Sequence, residues 1–323
     1  MLPGRNDPRA GRRTVTVLLV GYEQARFAEH ALDAIAAQTA TDFQLIVTDD
    51  GSVDGTAGVV RGWAARHPER PLTLLANPRN VGLLPTLNAA LRLVEGRYLA
   101  AVAMDDLWGP RFLEARVGAL ERRLDAAVAY SDARLIDPAG ELIGGTFSRD
   151  RCGHEGPLPQ SPRELVRRLA TGNMIPAPSA VIRTDAFRSV GGAWDLRLSF
   201  EDWDLWLRLA RAGHSFVALE GDSDVSYRVV PGQMSTDVYR KPEHVRTIVR
   251  TLAKARGLNA EADSALRRTS LEAVRSLRRH ATREAVAPLL EDALRQRRPS
   301  TAVLAARSAM EWGFSRSPRR VLR

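Results

Sequence analysis

The stretch FQLIVTDDGSVDGTAGVVRGWAARHPERPLTLLAN, residues 43–77, decides the fold of this chain. It begins with an apolar run at 43–50 that is typical of a buried strand, continues with a helical period at 55–67, and returns to an apolar run at 71–77. A strand, a helix and a second strand in this order form a right-handed crossover between parallel strands. The stretch therefore predicts an α/β fold.

The same alternation extends in both directions from this unit. Further strands are predicted at 14–20 and 97–104, and further helices at 27–38, 84–96 and 111–124. The pattern is typical of a mostly parallel, Rossmann-like sheet that is covered by helices and binds ligands beyond the carboxyl ends of its strands. Residues 144–162 contain several Gly and Pro without a period, and we expect them to form a surface loop.

Composition divides the 323 residues into three parts. Residues 1–13 are predicted to be a flexible arm, residues 14–239 carry the strands, and residues 240–323 form a basic region with helical composition. The whole excess of the formal net charge of +9 lies in this last region, which has 20 Lys and Arg against 8 Asp and Glu. Because its arginines are dispersed among acids and no nucleic-acid motif is present, we predict no nucleic-acid partner.

The C-terminal region leaves two roles open. It packs against the preceding domain as a helical extension, or it makes peripheral contact with an anionic membrane through Trp312, Phe314 and nearby arginines. The early apolar run at 14–20 is much shorter than the roughly 20 residues that a membrane-spanning helix needs. A lone cysteine, Cys152, excludes an internal disulfide framework. These features predict a cytoplasmic protein, or one held peripherally at the inner face of the plasma membrane.

Pairs of acidic residues follow two of the predicted strands. Asp49 and Asp50 end one strand, and Asp105 and Asp106 end another. Because the carboxyl ends of parallel strands share one edge, we expect all four to converge on one crevice. The first pair serves either in a turn before a capped helix or as an acceptor for ribose hydroxyls or a base imide.

The second pair also has two interpretations. Asp105 and Asp106 start the next helix, with Pro110 at its first position, or they form a ligand site. Two buried carboxylates are poorly tolerated unless donors or a divalent cation neutralise them. Oxygen ligands favour magnesium or manganese, which usually bridge to substrate phosphates. The apolar strand before them favours a metal-diphosphate site.

Two further clusters lie later in the chain. In SFEDWDLWLRLARAGH, residues 199–214, Glu201 and Asp202 either cap a helix or supply a general base whose pKa a flanking tryptophan raises. In VSYRVVPGQMS, Tyr227 and Arg228 precede a Pro-Gly turn. They end an ordinary strand or close over an anionic ligand, since Arg is the usual bidentate partner of phosphate.

In their order along the chain, these segments resemble the family 2 glycosyltransferases, inverting enzymes with the GT-A fold. The segments that carry the resemblance, between about Thr14 and Ser235, are LLVGYEQARF, ALDAIAAQT, LIVTDDGSVDGT, NPRNVGLLPTLNAAL, YLAAVAMDDLWGP, SAVIRTDAFRSVGGAWDLRLSFEDWDLWLRLARAG and YRVVPGQMS. The resemblance implies transfer of a sugar from a nucleotide-diphosphate donor, UDP- or dTDP-linked, to a hydroxyl group. The acceptor would be a glycan, a lipid-linked molecule or a small molecule, in bacterial cell-surface glycan synthesis.

The resemblance also implies roles for individual residues. Contacts with the nucleotide sugar are implied at Tyr22, Glu23, Asp49 or Asp50, Arg79, Asp105, Tyr227 and Arg228. A divalent cation, magnesium or manganese, is implied at Asp105 and Asp106. The general base is implied at Asp202, the acid of the family's ED motif, with Glu201 beside it.

Two positions depart from the family's pattern. Ala103 stands where the first acid of the DXD element is most often found, so only Asp105 and Asp106 remain. Leu87 precedes Asn88 where many members have an arginine. Both departures support an alternative from another class, a catalytically impaired glycosyltransferase-like binding protein in a glycan assembly complex.

Overall fold

The computed structural model describes residues 14–198, 201–221, 224–231, 233 and 251. The chain divides into two compact units, Met1–Leu196 with Leu205–Val230, and Arg197–Asp204 with Pro231–Arg323. The predicted arm, the predicted boundary at 239 and nearly all of the C-terminal helical extension lie outside the described residues.

The elements alternate along the chain as the apolar pattern predicts. The described strands are β1 (Val15–Gly21), β2 (Phe43–Asp49), β3 (Leu72–Ala76), β4 (Tyr98–Ala103), β5 (Leu107–Trp108), β6 (Ala126–Tyr130), β7 (Arg134–Ile136), β8 (Leu142–Thr146), β9 (Val181–Arg183), β10 (Ser215–Ala218) and β11 (Val225–Arg228). The described helices are α1 (Ala25–Ala36), α2 (Thr56–Arg66), α3 (Leu83–Ala90), α4 (Phe112–Arg122), α5 (Phe147–Cys152), α6 (Pro162–Leu169), α7 (Thr184–Ser189) and α8 (Glu201–Arg211).

The first unit is built on a seven-stranded sheet in the order β10-β6-β9-β4-β1-β2-β3. β9 runs antiparallel to both of its neighbours, and the other pairs are parallel. This confirms the predicted mostly parallel α/β sheet. A smaller sheet has the order β5-β11-β7-β8.

The core lies between the large sheet and the helices that cover it. Val17, Leu18 and Leu19 of β1 are fully buried, which is why this strand is a continuous apolar run rather than an alternating one. On α2, the indole of Trp63 is buried and donates to Asp33 Oδ1 at 2.7 Å. The residues that α1 buries recur at helical spacing: Phe27, Ala28, Ala31, Leu32 and Ile35.

Two sequence-based predictions of local structure are wrong in part. The helix predicted at 84–96 ends at Ala90, where a short 3₁₀ turn follows, and the side chain of Gln44 on β2 bonds the Leu93 carbonyl and the Glu95 amide and holds this segment against β2. The loop predicted at 144–162 contains the end of β8 and all of α5. The side chain of Thr146 caps α5. A single capping residue among several glycines was too weak a signal to predict this short helix.

Candidate functional site

The carboxyl ends of β1, β2 and β4 meet at one edge of the large sheet. The Asp50 amide donates to the Gly21 carbonyl at 3.0 Å, and the Met104 amide donates to the Val20 carbonyl at 2.9 Å. The last residues of these strands and the residues that follow them therefore lie at this shared edge. They include the predicted site residues Tyr22, Glu23, Asp49, Asp50, Asp105 and Asp106.

Asp49 is buried at the end of β2. Its Oδ1 accepts hydrogen bonds from the amide and the hydroxyl of Ser52. Among the described residues, no group donates to its Oδ2. This oxygen is the acceptor that the Asp49 carboxylate can still offer to a ligand.

Glu23 belongs to a turn that is tied to the loop after β2. Its backbone is left-handed, with φ of 54°, and its Oε1 accepts from the Val53 amide at 2.8 Å. Ser52 Oγ, Thr56 Oγ1 and Asp54 Oδ2 accept from successive amides of the turn, those of Glu23, Gln24 and Ala25. These cross-loop contacts were not predicted from the sequence, although Ser, Asp and Thr at this spacing are typical of side chains that bond backbone amides.

Asp50 holds a second loop in place. Its Oδ1 accepts from Asn77 Nδ2, the Val81 amide and Thr86 Oγ1, each at 2.9 Å. Its Oδ2 accepts from the Gly82 amide at 2.8 Å. The buried carboxylate thus fixes residues 77–82, the loop that presents the exposed side chain of Arg79 at the same edge.

Gly51 packs directly against this loop. Its φ is 74°, and a Cβ at this position would overlap the backbone of Arg79 and Asn80. We expect Gly51→Ala to lower the free energy of unfolding by about 2 kcal/mol, from left-handed strain and displacement of the loop. Urea unfolding measures the change. Gly58→Ala is the control, because α2 leaves open space around Gly58 and alanine favours a helix; equal stability of the two variants would contradict the prediction.

Asp105 and Asp106 form a buried turn after β4, with exposed fractions of 7% and 4%. Burial raises the pKa of the Asp105 carboxyl, and burial together with the charge of Asp105 raises the pKa of Asp106 well above its usual range. The charge of Arg228 opposes both shifts. The pair is therefore an acidic turn that a further cation would stabilise.

Arg228 anchors the acidic turn rather than projecting from it. Its amide donates to Asp106 Oδ1 at 2.9 Å, and its Nε donates to the Asp105 carbonyl at 2.7 Å. Its Nη1 donates to the carbonyls of Asp137 and Pro138 at 2.8 and 3.1 Å, and the residue is only 3% exposed. The neighbouring Tyr227 is buried, with its ring edge-on to Phe147 at 5.0 Å. These contacts give both residues a structural role, and the ligand contacts implied for them stay predictions.

The donor set at this edge suits a cation that a substrate helps to bind. Among the described residues, no group of three or more acidic, His or Cys side chains is placed to hold a metal ion. The side chain of Ala103 contributes no oxygen, which leaves the carboxylates of Asp105 and Asp106. Magnesium is usually bound by one or two carboxylates together with water and substrate phosphates, so two carboxylates fit such an ion.

Glu201 and Asp202 begin α8, and both belong to the second unit. Burial, followed by the charge of Asp202, raises the pKa of Glu201 to about 8. Glu201 is therefore protonated at neutral pH. The Trp203 amide donates to Asp202 Oδ1 at 2.7 Å, and the Trp203 side chain is buried. Ser199, whose spacing from Asp202 is that of a capping box, lies outside the described residues.

The model of the family described as glycosyl transferase family 2 matches residues 16–190, more than half of the chain. The chain belongs to glycosyl transferase family 2. It is 29% identical over 201 residues to the putative glycosyltransferase EpsE of Bacillus subtilis, a match that covers 62% of this chain and 67% of that protein. It is 25% identical over 199 residues to an Escherichia coli chondroitin synthase, again over 62% of this chain but only 27% of the synthase.

Solved structures share the fold of this family 2 glycosyltransferase. A mannosyltransferase from Pyrobaculum calidifontis, in complex with GDP-Man and Mn²⁺, matches with a TM-score of 0.55 and 20% identity, over 93% of this chain and 85% of that one. TarS 1–349 of S. aureus, in complex with UDP-GlcNAc, matches with a TM-score of 0.60 and 16% identity, over 95% of this chain and 82% of that one. The predicted GT-A type fold is confirmed.

Proposed function

We propose that this glycosyltransferase moves a sugar from a nucleotide-diphosphate donor, UDP- or dTDP-linked, to a hydroxyl group with inversion at the anomeric carbon. The observation that carries the proposal is the convergence of three strand ends at one edge of the sheet. There, the buried carboxylates of Asp49 and Asp50 fix the loops that follow β2 and β3, and the acidic turn of Asp105 and Asp106 follows β4. Ligands of parallel α/β sheets bind at such an edge.

The nucleoside is proposed to bind at the turn of Tyr22 and Glu23 and the end of β2. Tyr22 is 48% exposed, and Asp49 keeps one oxygen that no described residue bonds, which suits a base imide or a ribose hydroxyl. Asp50 is proposed to contribute indirectly, because it fixes the loop at 77–82 that presents Arg79 to the nucleotide. Base binding by Asp49 or Asp50 remains part of the proposal.

Asp105 and Asp106 are proposed to hold magnesium or manganese next to the donor's diphosphate. When bound, such an ion neutralises the charge that develops on the leaving group. The backbone amide and Nε of Arg228 hold the two acids in position, since they bond the Asp106 carboxylate and the Asp105 carbonyl.

On the family resemblance, Asp202 is proposed as the general base. It takes the proton of the acceptor hydroxyl while the oxygen attacks the anomeric carbon, and the bond from that carbon to the leaving diphosphate breaks on the opposite face. Burial and the charge of Asp202 raise the pKa of Glu201 to about 8, so we propose that Glu201 holds a proton at neutral pH while Asp202 acts as the base.

The acceptor is proposed to be a hydroxyl of a glycan, a lipid-linked molecule or a small molecule, in cell-surface glycan synthesis. Names of relatives such as chondroitin synthase support a polysaccharide setting. No helix in the described part of the chain is long and apolar enough to cross a bilayer. A cytoplasmic location, with peripheral membrane contact through the C-terminal region, stays part of the proposal. That region lies outside the described residues.

A second candidate function is supported by Ala103, which removes one acid from the DXD element. In this alternative the chain is a catalytically impaired glycosyltransferase-like protein that binds a nucleotide sugar within an assembly complex. It predicts nucleotide binding without turnover.

Thermal unfolding with UDP, dTDP or GDP, each with and without manganese, tests the proposed donor site. Ligand binding to the folded state raises the melting temperature by mass action, because it adds about 2.7 kcal/mol to the free energy of unfolding at a ligand concentration of 100 Kd. We expect UDP or dTDP to raise the melting temperature more in manganese than in EDTA. Absence of a shift with every nucleotide would contradict the proposed function.

A further inference from the structure

Two arginines share one aromatic ring beside the acidic turn. Arg26 is the second residue of α1, and its Cζ lies 4.3 Å from the centroid of the Phe27 ring. The Cζ of Arg228 lies 4.7 Å from the same centroid. The buried Phe27 ring therefore holds two guanidinium groups by cation–π contact at the edge of the sheet where Asp105 lies.

The two guanidinium groups differ in what they are free to bind. The Nε and Nη1 of Arg228 donate to backbone carbonyls, and the side chain is buried. Arg26 is exposed, and within the described ranges its guanidinium makes no hydrogen bond or ion pair. It is nevertheless close enough to Asp105 for its charge to oppose the burial that raises the pKa of that carboxyl. Its hydrogen-bond donors are thus held beside the acidic turn but unused.

We propose that Arg26 binds the diphosphate of the nucleotide-sugar donor. Its guanidinium offers hydrogen-bond donors to a ligand, whereas the Nε and Nη1 of Arg228 already donate to backbone carbonyls. The inference rests on the proposed function. Arg presents a planar fork that bonds two phosphate oxygens at once, and stacking on Phe27 limits the rotamer freedom lost on binding. Because Ala103 leaves the metal one acid fewer, a fixed arginine takes a larger share of the charge on the leaving group.

The test compares binding of a nucleoside diphosphate with binding of its nucleoside. The probe is whichever of UDP, dTDP or GDP binds the wild-type protein most tightly, measured by calorimetry in manganese, with the matching nucleoside measured by NMR titration. We expect Arg26→Ala to weaken the diphosphate about tenfold or more and to leave nucleoside affinity unchanged, because charge-assisted hydrogen bonds are the strong ones. Arg26→Lys keeps the charge without the fork, and we expect an intermediate affinity.

Arg61→Ala is the matched control, since Arg61 is an exposed arginine on α2 with no polar contact among the described residues. We expect it to bind the diphosphate as the wild type does. Equal affinity of Arg26→Ala and wild type for the diphosphate overturns the inference alone. An equal loss for nucleoside and diphosphate also overturns it, because it would indicate a general change of the site. If the wild type binds none of the three diphosphates, the proposed function itself fails.

Discussion

Replacement of Asp202 by Asn is expected to lower kcat by about 10²- to 10⁴-fold, the usual contribution of a general base. The amide keeps the shape of the side chain but cannot take the acceptor proton. Donor affinity is expected to stay at the wild-type value, because the residues proposed to bind the nucleotide are not changed. Steady-state release of the nucleoside diphosphate gives kcat, and calorimetry gives the donor affinity.

Glu201→Gln is the matched control for this variant. Since the pKa of Glu201 is raised to about 8, the residue is already neutral at pH 7, and glutamine reproduces that state. We expect near wild-type kcat at pH 7. A loss of kcat in Glu201→Gln as large as that in Asp202→Asn would contradict the assignment of Asp202, rather than Glu201, as the base. Full turnover by Asp202→Asn would show that Asp202 has no role in the mechanism.

The same pair of residues predicts a pH dependence of stability. A carboxyl group whose pKa rises on folding stabilises the folded state below its unfolded pKa, here near 4.5, and this contribution is lost as the pH rises through about 8. We therefore expect the melting temperature of the wild type to fall relative to that of Glu201→Gln as the pH rises from about 5 to 8. A constant difference across this range would contradict the raised pKa.

Asp50→Asn is expected to lower the free energy of unfolding by about 3–4 kcal/mol, since it removes a buried charge that four donors surround. The asparagine side chain has one acceptor oxygen. In one orientation its NH₂ group would face the Gly82 amide, and in the other it would face the donors now at Oδ1, which include the Val81 amide. The loop at 77–82 would then lose its anchor. Urea unfolding measures the change, with the same m value, the dependence of the unfolding free energy on urea concentration, used for both proteins.

Asp185→Asn is the comparison for Asp50→Asn, because Asp185 is an exposed acid whose carboxylate, among the described residues, accepts a hydrogen bond only from the next amide of α7, that of Ala186. We expect it to change the stability by less than about 0.5 kcal/mol, as is usual for surface positions. A stability of Asp50→Asn within that same margin of the wild type would show that the four donors find other partners.

Much of the fold could be predicted because its signals are local. A strand that is covered on both faces, such as β1, must be apolar throughout, and a crossover helix between two such strands fixes their parallel direction. Parallel direction in turn brings the ends of β2 and β4 to one edge. The convergence of Asp49, Asp50, Asp105 and Asp106 at one edge was therefore predictable without coordinates.

The partners of these residues were not predictable, because they come from distant parts of the chain. Asp50 receives donors from positions 77 to 86, and nothing around Asp50 itself distinguishes it from Asp49. Arg228 reaches the Asp137 and Pro138 carbonyls because β11 pairs with β7 in the small sheet, which no periodicity indicated. The sequence thus predicted where the candidate site lies, but it could not distinguish the side chains that hold this edge together from those available to a ligand.

The most direct test of the account is the release of nucleoside diphosphate from a panel of UDP- and dTDP-sugars, in manganese and in EDTA, with a panel of hydroxyl acceptors. We predict release from one class of donor, faster in manganese, and lost in Asp202→Asn although this variant still binds the nucleotide. Tight nucleotide binding by the wild type without release from any donor would contradict the proposed transferase activity and identify the chain as a binding protein.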